Sequence, residues 1–171
     1  IKISKGSKPE DLGYFYLNLA TSYEVLGDKI NQKKYLLKSL EILKDQYGEN
    51  SKDAAYLYAQ IGTYYLNASD FKKTEDYLFK ALKIQNKSND DNTKEDLIDT
   101  YQFLSGLYTR LSDFKKSEKY IQKAIDLNKD LFGTKNLSHI QLRDQYADIQ
   151  MDKDNYLYAL EIYKKNIDDL E

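Results

Sequence analysis

The chain has 171 residues, of which 41% are hydrophobic and 32% are charged, so it is long enough and apolar enough to form a folded domain. Its 26 basic and 28 acidic residues nearly cancel, which argues against a nucleic-acid surface that must neutralise many phosphates. Cysteine is absent, which excludes disulfides and thiolate chemistry, and the sequence contains no apolar run long enough to span a bilayer.

The chain after Pro9 is predicted to begin with a helical hairpin. A single proline and seven glycines favour long helices. Apolar residues recur at helical spacing in two neighbouring stretches, with a break between them at Gly27-Asp28, where the short polar side chain can cap the second helix. The residues that carry this periodicity are Leu12, Tyr16, Leu19, Tyr23, Tyr35, Leu36, Leu40 and Leu43.

The same arrangement recurs three more times along the chain. Breaks equivalent to Gly27-Asp28 lie at 69–70, 112–113 and 154–155, each with a short polar side chain that can accept from free amides of the next helix. Longer loops, at 47–51, 86–93 and 132–136, separate one hairpin from the next. The sequence therefore predicts four hairpins and about eight helices.

Small residues mark one position of every hairpin. Ala20, Gly62, Ser105 and Ala147 are separated by 42, 43 and 42 positions. A small side chain is required where two helices cross at close range, because a larger one would push their axes apart. A second set of small residues, Thr74, Ser117 and Ala159, is predicted to face the first across the crossing, with Gln32 as the exception in the first hairpin.

These features resemble the tetratricopeptide repeat. The resemblance rests on the small residue, the tyrosine three positions later, the Gly/Ser-Asp turn, and the Ala81-Leu82 and Ala124-Ile125 pairs. The spacing of 42 to 43 residues exceeds the usual repeat of about 34. It is similar to the long-repeat subclass typified by kinesin light chain and by many bacterial repeat proteins. The resemblance implies an all-α, right-handed superhelical solenoid of four helix-turn-helix hairpins.

One continuous domain of four repeats is expected. Residues 1–8 are assigned to the tail of a preceding repeat and a linker, and the repeats to 9–50, 51–92, 93–135 and 136–171. The fourth repeat departs most from the pattern, because Gln150 replaces the tyrosine and Asn166 replaces the alanine. No polar capping helix follows it, so we expect the chain to be a slice of a larger protein.

The concave groove of such a solenoid is lined by the first helix of each hairpin, and in this family the groove binds extended or helical peptides. The positions that would face the groove carry a mixture of aromatic and polar side chains, with an acidic end in the fourth repeat. The candidate partner-binding residues are Tyr14, Leu17, Thr21, Tyr56, Gln60, Thr63, Asn67, Asp99, Gln102, Arg110, Gln141, Asp144 and Asp148. An ordinary solvated face is the competing interpretation of the same residues.

Two further patterns are interpreted as structural. The 17 tyrosines fall mostly at packing positions, which favours a role in the core over ligand binding. The pairs Lys72-Lys73 and Lys115-Lys116 recur at one register of the second helices, and a solvated basic ridge is favoured over a surface for acidic partners.

The predicted function is a scaffold that binds another protein or a peptide in the groove, and the chain is not expected to be an enzyme. The alternative is a sensory or regulatory domain of a larger bacterial signalling protein, with a neighbouring domain as partner. The sole histidine, His139, lacks partners for a metal or catalytic site, and we expect no cofactor, no nucleic acid and no membrane insertion. The cytoplasm is the expected compartment, with the periplasm and the exterior left open.

Overall fold

The computed structural model describes residues 9–170, with side chains from residue 11 onward. The predicted tail at 1–8 lies outside the described residues. Within 9–170 all regular structure is helical, and the eight helices are α1 (Pro9–Val25), α2 (Lys29–Tyr47), α3 (Lys52–Asn67), α4 (Phe71–Gln85), α5 (Asp91–Arg110), α6 (Phe114–Phe132), α7 (Leu137–Asp152) and α8 (Tyr156–Asp168).

The chain forms two compact units, one up to Lys87 and one from Ser88 onward. In the first unit α1 packs on α2 and α3 packs on α4, and α2 also contacts α3. In the second unit α5 packs on α6 and α7 packs on α8, and α6 also contacts α7. Each unit is therefore a pair of stacked helical hairpins.

The predicted caps hold three of the four tight turns. Asp28, Asp70 and Asp113 each accept a hydrogen bond from the backbone amide three residues later, at 3.0 to 3.2 Å. The prediction is wrong for Asn155, whose side chain makes no cap hydrogen bond. Its amide instead donates to the Gln150 Oε1 atom at 3.0 Å, so the side chain is directed to the preceding helix.

The loop that joins α4 to α5 is shorter than the predicted loop at 86–93. Helix α5 begins at Asp91, inside the stretch assigned to the loop, and the proposed repeat boundary at 92/93 falls in its first turn. Asp90 fixes this start, because its Oδ2 atom accepts from both the backbone amide and the hydroxyl of Thr93, at 3.1 and 2.9 Å.

The small residues lie at the helix crossings, as predicted. Ala20, Ser105 and Ala147 are buried, and so are the facing residues Thr74, Ser117 and Ala159. A Cβ atom added to Gly62 would lie 2.7 Å from Leu78 Cδ2 and 2.8 Å from Leu78 Cγ, closer than packed carbon atoms approach. The Ser105 hydroxyl also donates to the Ser117 carbonyl at 3.0 Å, which ties α5 to α6.

Tyrosine rings in contact with one another fill the space beside the crossing in three of the four hairpins. In each, a tyrosine of the second helix lies between two tyrosines of the first, with ring centroids 5.5 to 6.1 Å apart. We call each such set a tyrosine ladder. The three ladders are Tyr16–Tyr35–Tyr23, Tyr58–Tyr77–Tyr65 and Tyr101–Tyr120–Tyr108, and they confirm the structural interpretation of these nine tyrosines.

Lysine ammonium groups lie over the faces of the ladders. Lys38, Lys80 and Lys123 occupy the same register of the three second helices, and each lies 5.2 Å from its nearest ladder ring. Lys73 and Lys116 lie over Tyr65 and Tyr108 at the other end, at 5.0 and 4.6 Å. These distances allow cation–π attraction of about 0.5–1 kcal/mol at an exposed site.

We predict that Gly62→Ala destabilises the protein, because the added Cβ forces Leu78 to move in a packed crossing, at a cost of about 1–3 kcal/mol. Gly106→Ala is the matched control, since a Cβ built there meets no atom within 4 Å. Replacing an open helical glycine with alanine should stabilise the protein by about 0.5–1 kcal/mol. Urea unfolding of both variants measures the difference, and equal stability of the two would contradict the crossing assignment.

Candidate functional site

The predicted groove residues lie on the first helices of the hairpins, and none of them is buried. In the first unit they occupy α1 and α3, and in the second unit α5 and α7. Eight are exposed: Tyr14, Thr21, Tyr56, Asn67, Asp99, Arg110, Gln141 and Asp148. Leu17, Gln60, Thr63, Gln102 and Asp144 are partly buried. All thirteen are therefore within reach of solvent.

The first unit joins its two first helices through Tyr14. The Tyr14 hydroxyl donates to Asp53 Oδ1 at 2.8 Å, which links the start of α1 to the start of α3. Local desolvation, the hydrogen bond to Asp53 and the charge of that carboxylate raise the pKa of Tyr14 well above its usual value. Tyr14 is thus a neutral, fixed aromatic side chain at one end of this face.

Two threonines of this face have their hydroxyls satisfied within their own helices. Thr21 donates to the Leu17 carbonyl at 3.2 Å, and Thr63 donates to the Ala59 carbonyl at 3.1 Å. The side-chain amides of Gln60 and Asn67 on α3 add hydrogen-bonding groups that can serve a peptide backbone.

On α5 of the second unit, there is open space beside Gly106, because a Cβ atom added to this residue would meet no atom within 4 Å. Asp99, Gln102 and Arg110 surround this gap along the helix. Although Asp99 as a whole is exposed, local desolvation of its carboxylate raises its pKa, and the charge of Glu95 adds to the rise. A cationic group placed beside Asp99 would reverse that unfavourable environment.

The acidic end of the predicted groove lies on α7 and is bound to α8. Asn166 donates to Asp144, and the Tyr163 hydroxyl donates to Asp148 Oδ1 at 2.5 Å. Neither carboxylate forms an ion pair with a described residue, and the same is true of Asp152 one turn further on. The hydrogen bonds fix the orientation of Asp144 and Asp148.

The described residues contain no metal-binding cluster, since no group of three or more histidine, cysteine or acidic side chains is placed to hold an ion. His139 is buried in α7, and burial, followed by the charge of Arg143, lowers its pKa. No helix within residues 9–170 is both long enough and apolar enough to cross a membrane.

Sequence reasoning missed the role of the lysines. Lys73 and Lys116, predicted to belong to a solvated basic ridge, are exposed but also pair with the cap residues Asp70 and Asp113 at 2.6 and 3.2 Å and lie over tyrosine rings. The association of lysines with the tyrosine ladders could have been found from the sequence, because Lys38, Lys80 and Lys123 recur at the same intervals of 42 and 43 residues as the ladder tyrosines.

Comparison with known proteins supports the resemblance to the tetratricopeptide repeat. The family model for the tetratricopeptide repeat matches residues 14–45 and 98–131, which lie in the first and third hairpins. A search of curated proteins gives no significant match. Both matched stretches contain the small crossing residue and the tight turn of their hairpin, Ala20 with 27–28 and Ser105 with 112–113.

Solved structures share the architecture at low sequence identity. BtubC (BKLC) from P. vanneervenii aligns with a TM-score of 0.82 at 16% identity, over 98% of this chain and 66% of its own. Two structures of a putative kinesin light chain with nearly identical TPR-like repeats from Podosopora anserina give TM-scores of 0.72 and 0.70, at 11% and 10% identity. They cover 98% of this chain and 78% and 80% of their own. These likenesses confirm the all-α solenoid fold class, and this chain spans about two thirds of the BtubC structure.

The hydroxyl of Tyr163 provides a pH test of the acidic end. Burial, the hydrogen bond to Asp148 and the charges of Asp148, Asp144 and Asp152 raise the pKa of Tyr163 to about 12. The stability that this environment confers is full below about pH 10, where an unfolded tyrosine is neutral, and is lost as pH rises through about 12.

We predict that Asp148→Asn lowers the pKa of Tyr163 but leaves it above that of a free tyrosine, since burial, the largest cause, remains. Asp168→Asn on the exposed side of α8 should leave it unchanged. Titration of the 13Cζ NMR signal of Tyr163 measures both variants. An unchanged pKa in Asp148→Asn would contradict the contact.

Proposed function

We propose that this chain, whose first and third hairpins match the family model for the tetratricopeptide repeat, binds a segment of another protein along the exposed faces of its first helices. The observation that carries the proposal is that all thirteen residues expected to face a partner are accessible on these helices. The opposite sides of the same helices are buried in the crossings, at residues such as Ala20, Ser105 and Ala147. What is left open in each unit is therefore a surface presented by packed helices.

The chemistry of the first unit suits an uncharged peptide segment. Tyr14 and Tyr56 offer aromatic area at a low cost in side-chain entropy, and Gln60 and Asn67 offer both donors and acceptors. The hydrogen bond from Tyr14 to Asp53 orients the first ring before a partner arrives. Such preorganisation reduces the entropy lost on binding.

The chemistry of the second unit favours a basic residue in the partner. Asp144 and Asp148 are oriented by α8 yet lack an ion-pair partner among the described residues. Carboxylates spaced four residues apart on one helix repel each other, and a lysine or arginine side chain would relieve that repulsion. We infer that the segment bound at α7 carries a lysine or arginine.

The regulatory alternative uses the same surface. In that case the bound segment belongs to a neighbouring domain of a larger signalling protein that contains this chain. The two forms differ in whether the partner is a separate molecule, and partner capture distinguishes them.

The test is affinity capture from lysate of the source cell, with identification of bound proteins by mass spectrometry. The binding variant combines Tyr56→Ala, Gln102→Ala and Gln141→Ala, all on first helices. Asp144 is left intact because its replacement would leave the buried side-chain amide of Asn166 without this hydrogen-bond acceptor. We expect the variant to lose specific partners that the parent retains.

The matched control combines Phe79→Ala, Gln46→Ala and Lys164→Ala, three exposed residues of second helices. It should keep every specific partner, and circular dichroism should show both variants folded. Equal capture by parent and binding variant, or equal loss in the control, would count against the first-helix faces. If the parent alone captures nothing but binds a neighbouring domain added as a separate polypeptide, the regulatory form is supported.

A further inference from the structure

A cavity opens in the fourth hairpin at the place where the other three hairpins have a tyrosine ladder. Its volume is about 320 Å³, near the lower end of the range for ligand pockets. Its walls come from α6, α7 and α8, all within the second unit, and include Arg143, Tyr146, Tyr158, Ile162 and Lys165. It shares no residue with the predicted groove.

The repeat register explains why the cavity exists. At the intervals of 42 and 43 residues that relate the hairpins, Arg143 stands where Tyr101 begins the third ladder, and Ile162 stands where Tyr120 forms its centre. Gln150 stands where Tyr108 ends it. The fourth hairpin therefore lacks all three rings of a ladder.

The replacements do not fill the space that the rings would occupy. Arg143 is drawn aside by an ion pair with Asp169 at the end of α8. The side chain of Gln150 is bound to α6, where it donates to Glu118 Oε1 at 2.5 Å. The isoleucine at 162 is shorter than a tyrosine, so an open space remains between α7 and α8.

The lysine of the ladder is retained although the rings are not. Lys165 follows Lys38, Lys80 and Lys123 at the same interval and lines the cavity. Those three lysines each lie over a tyrosine ring, whereas Lys165 has no ring contact and no ion pair with any described residue. The position of Lys73 and Lys116 in the second and third hairpins is occupied by Tyr158 in the fourth. Tyr158 packs edge-on against Tyr146, with ring centroids 6.2 Å apart.

We propose that this cavity binds an aromatic side chain of a partner polypeptide, which takes the place of the missing ladder ring. Tyr146 and Tyr158 supply aromatic contacts, Ile162 and Ile125 supply an apolar wall, and Lys165 supplies a cation for the ring face. The three complete ladders serve as the internal template, since in each of them the same positions of the hairpin enclose a tyrosine ring.

The site goes beyond the groove proposed above and can fail independently of it. Its test uses methyl NMR of protein labelled at the isoleucine δ1 carbons, with N-acetyl-L-tyrosinamide and N-acetyl-L-phenylalaninamide as probes. N-acetyl-L-leucinamide is the aliphatic control. We expect saturable shifts of the Ile125 and Ile162 signals with the aromatic amides and no saturable shift with the leucine amide.

Two variants separate the site from general unfolding. Ile162→Tyr restores the central ladder tyrosine, so it should abolish the shifts of Ile125 while the melting temperature stays equal or rises. Lys165→Met should keep the fold and weaken aromatic binding about two- to fivefold, as expected for loss of one cation–π contact. Lys164→Met, on the neighbouring exposed position, is the matched control and should leave binding unchanged.

Three results would overturn the proposal. The first is the absence of saturable shifts with either aromatic amide. The second is equal binding of the leucine amide, which would show an apolar hole without preference for a ring. The third is binding of the aromatic amides that Ile162→Tyr leaves unchanged, which would place the bound ring outside the space of the missing ladder tyrosine. None of these results depends on the first-helix faces, so they leave the groove proposal untouched.

Discussion

The close crossing of the two helices in each hairpin is the constraint on which the rest of the structure depends. A residue no larger than serine at Ala20, Gly62, Ser105 and Ala147 lets the helices approach, and the added Cβ at Gly62 would collide with Leu78. That approach brings tyrosines of the two helices within stacking distance in three hairpins. It also leaves the remaining side of each first helix exposed, so packing and the accessible faces have one origin.

The sequence was sufficient for the helices, the turns and the crossing positions, because these follow from periodicity, capping residues and residue size. It was insufficient for Asn155, where the competing amide partner Gln150 lies on the preceding helix and could be found only from three-dimensional contacts. The cavity of the fourth hairpin was missed for a related reason. The absence of three tyrosines was visible, but whether Arg143 and Gln150 would fill the space depended on their ion pair and hydrogen bond elsewhere.

The accessibility of the candidate binding residues was predictable from the sequence, but their individual hydrogen bonds were not. Their accessibility follows from their position on the helix outside the crossing, and it is found for all thirteen. Their hydrogen bonds could not be predicted, because Tyr14 binds Asp53 on another helix and Asp148 accepts from Tyr163 across the hairpin. Those contacts bear on the proposed binding, since they hold aromatic and acidic groups in fixed orientations that a partner segment would meet.

Site-specific photocrosslinking in the source cell tests most directly whether the first helices hold the partner. Benzoylphenylalanine would replace Thr21 and Gln141, exposed on α1 and α7, and in parallel Lys72 and Lys164, exposed on α4 and α8. The proposed function predicts a discrete crosslinked protein from positions 21 and 141 and none from 72 and 164. Crosslinks from the second-helix positions alone, equal crosslinks from all four, or none from any would contradict it.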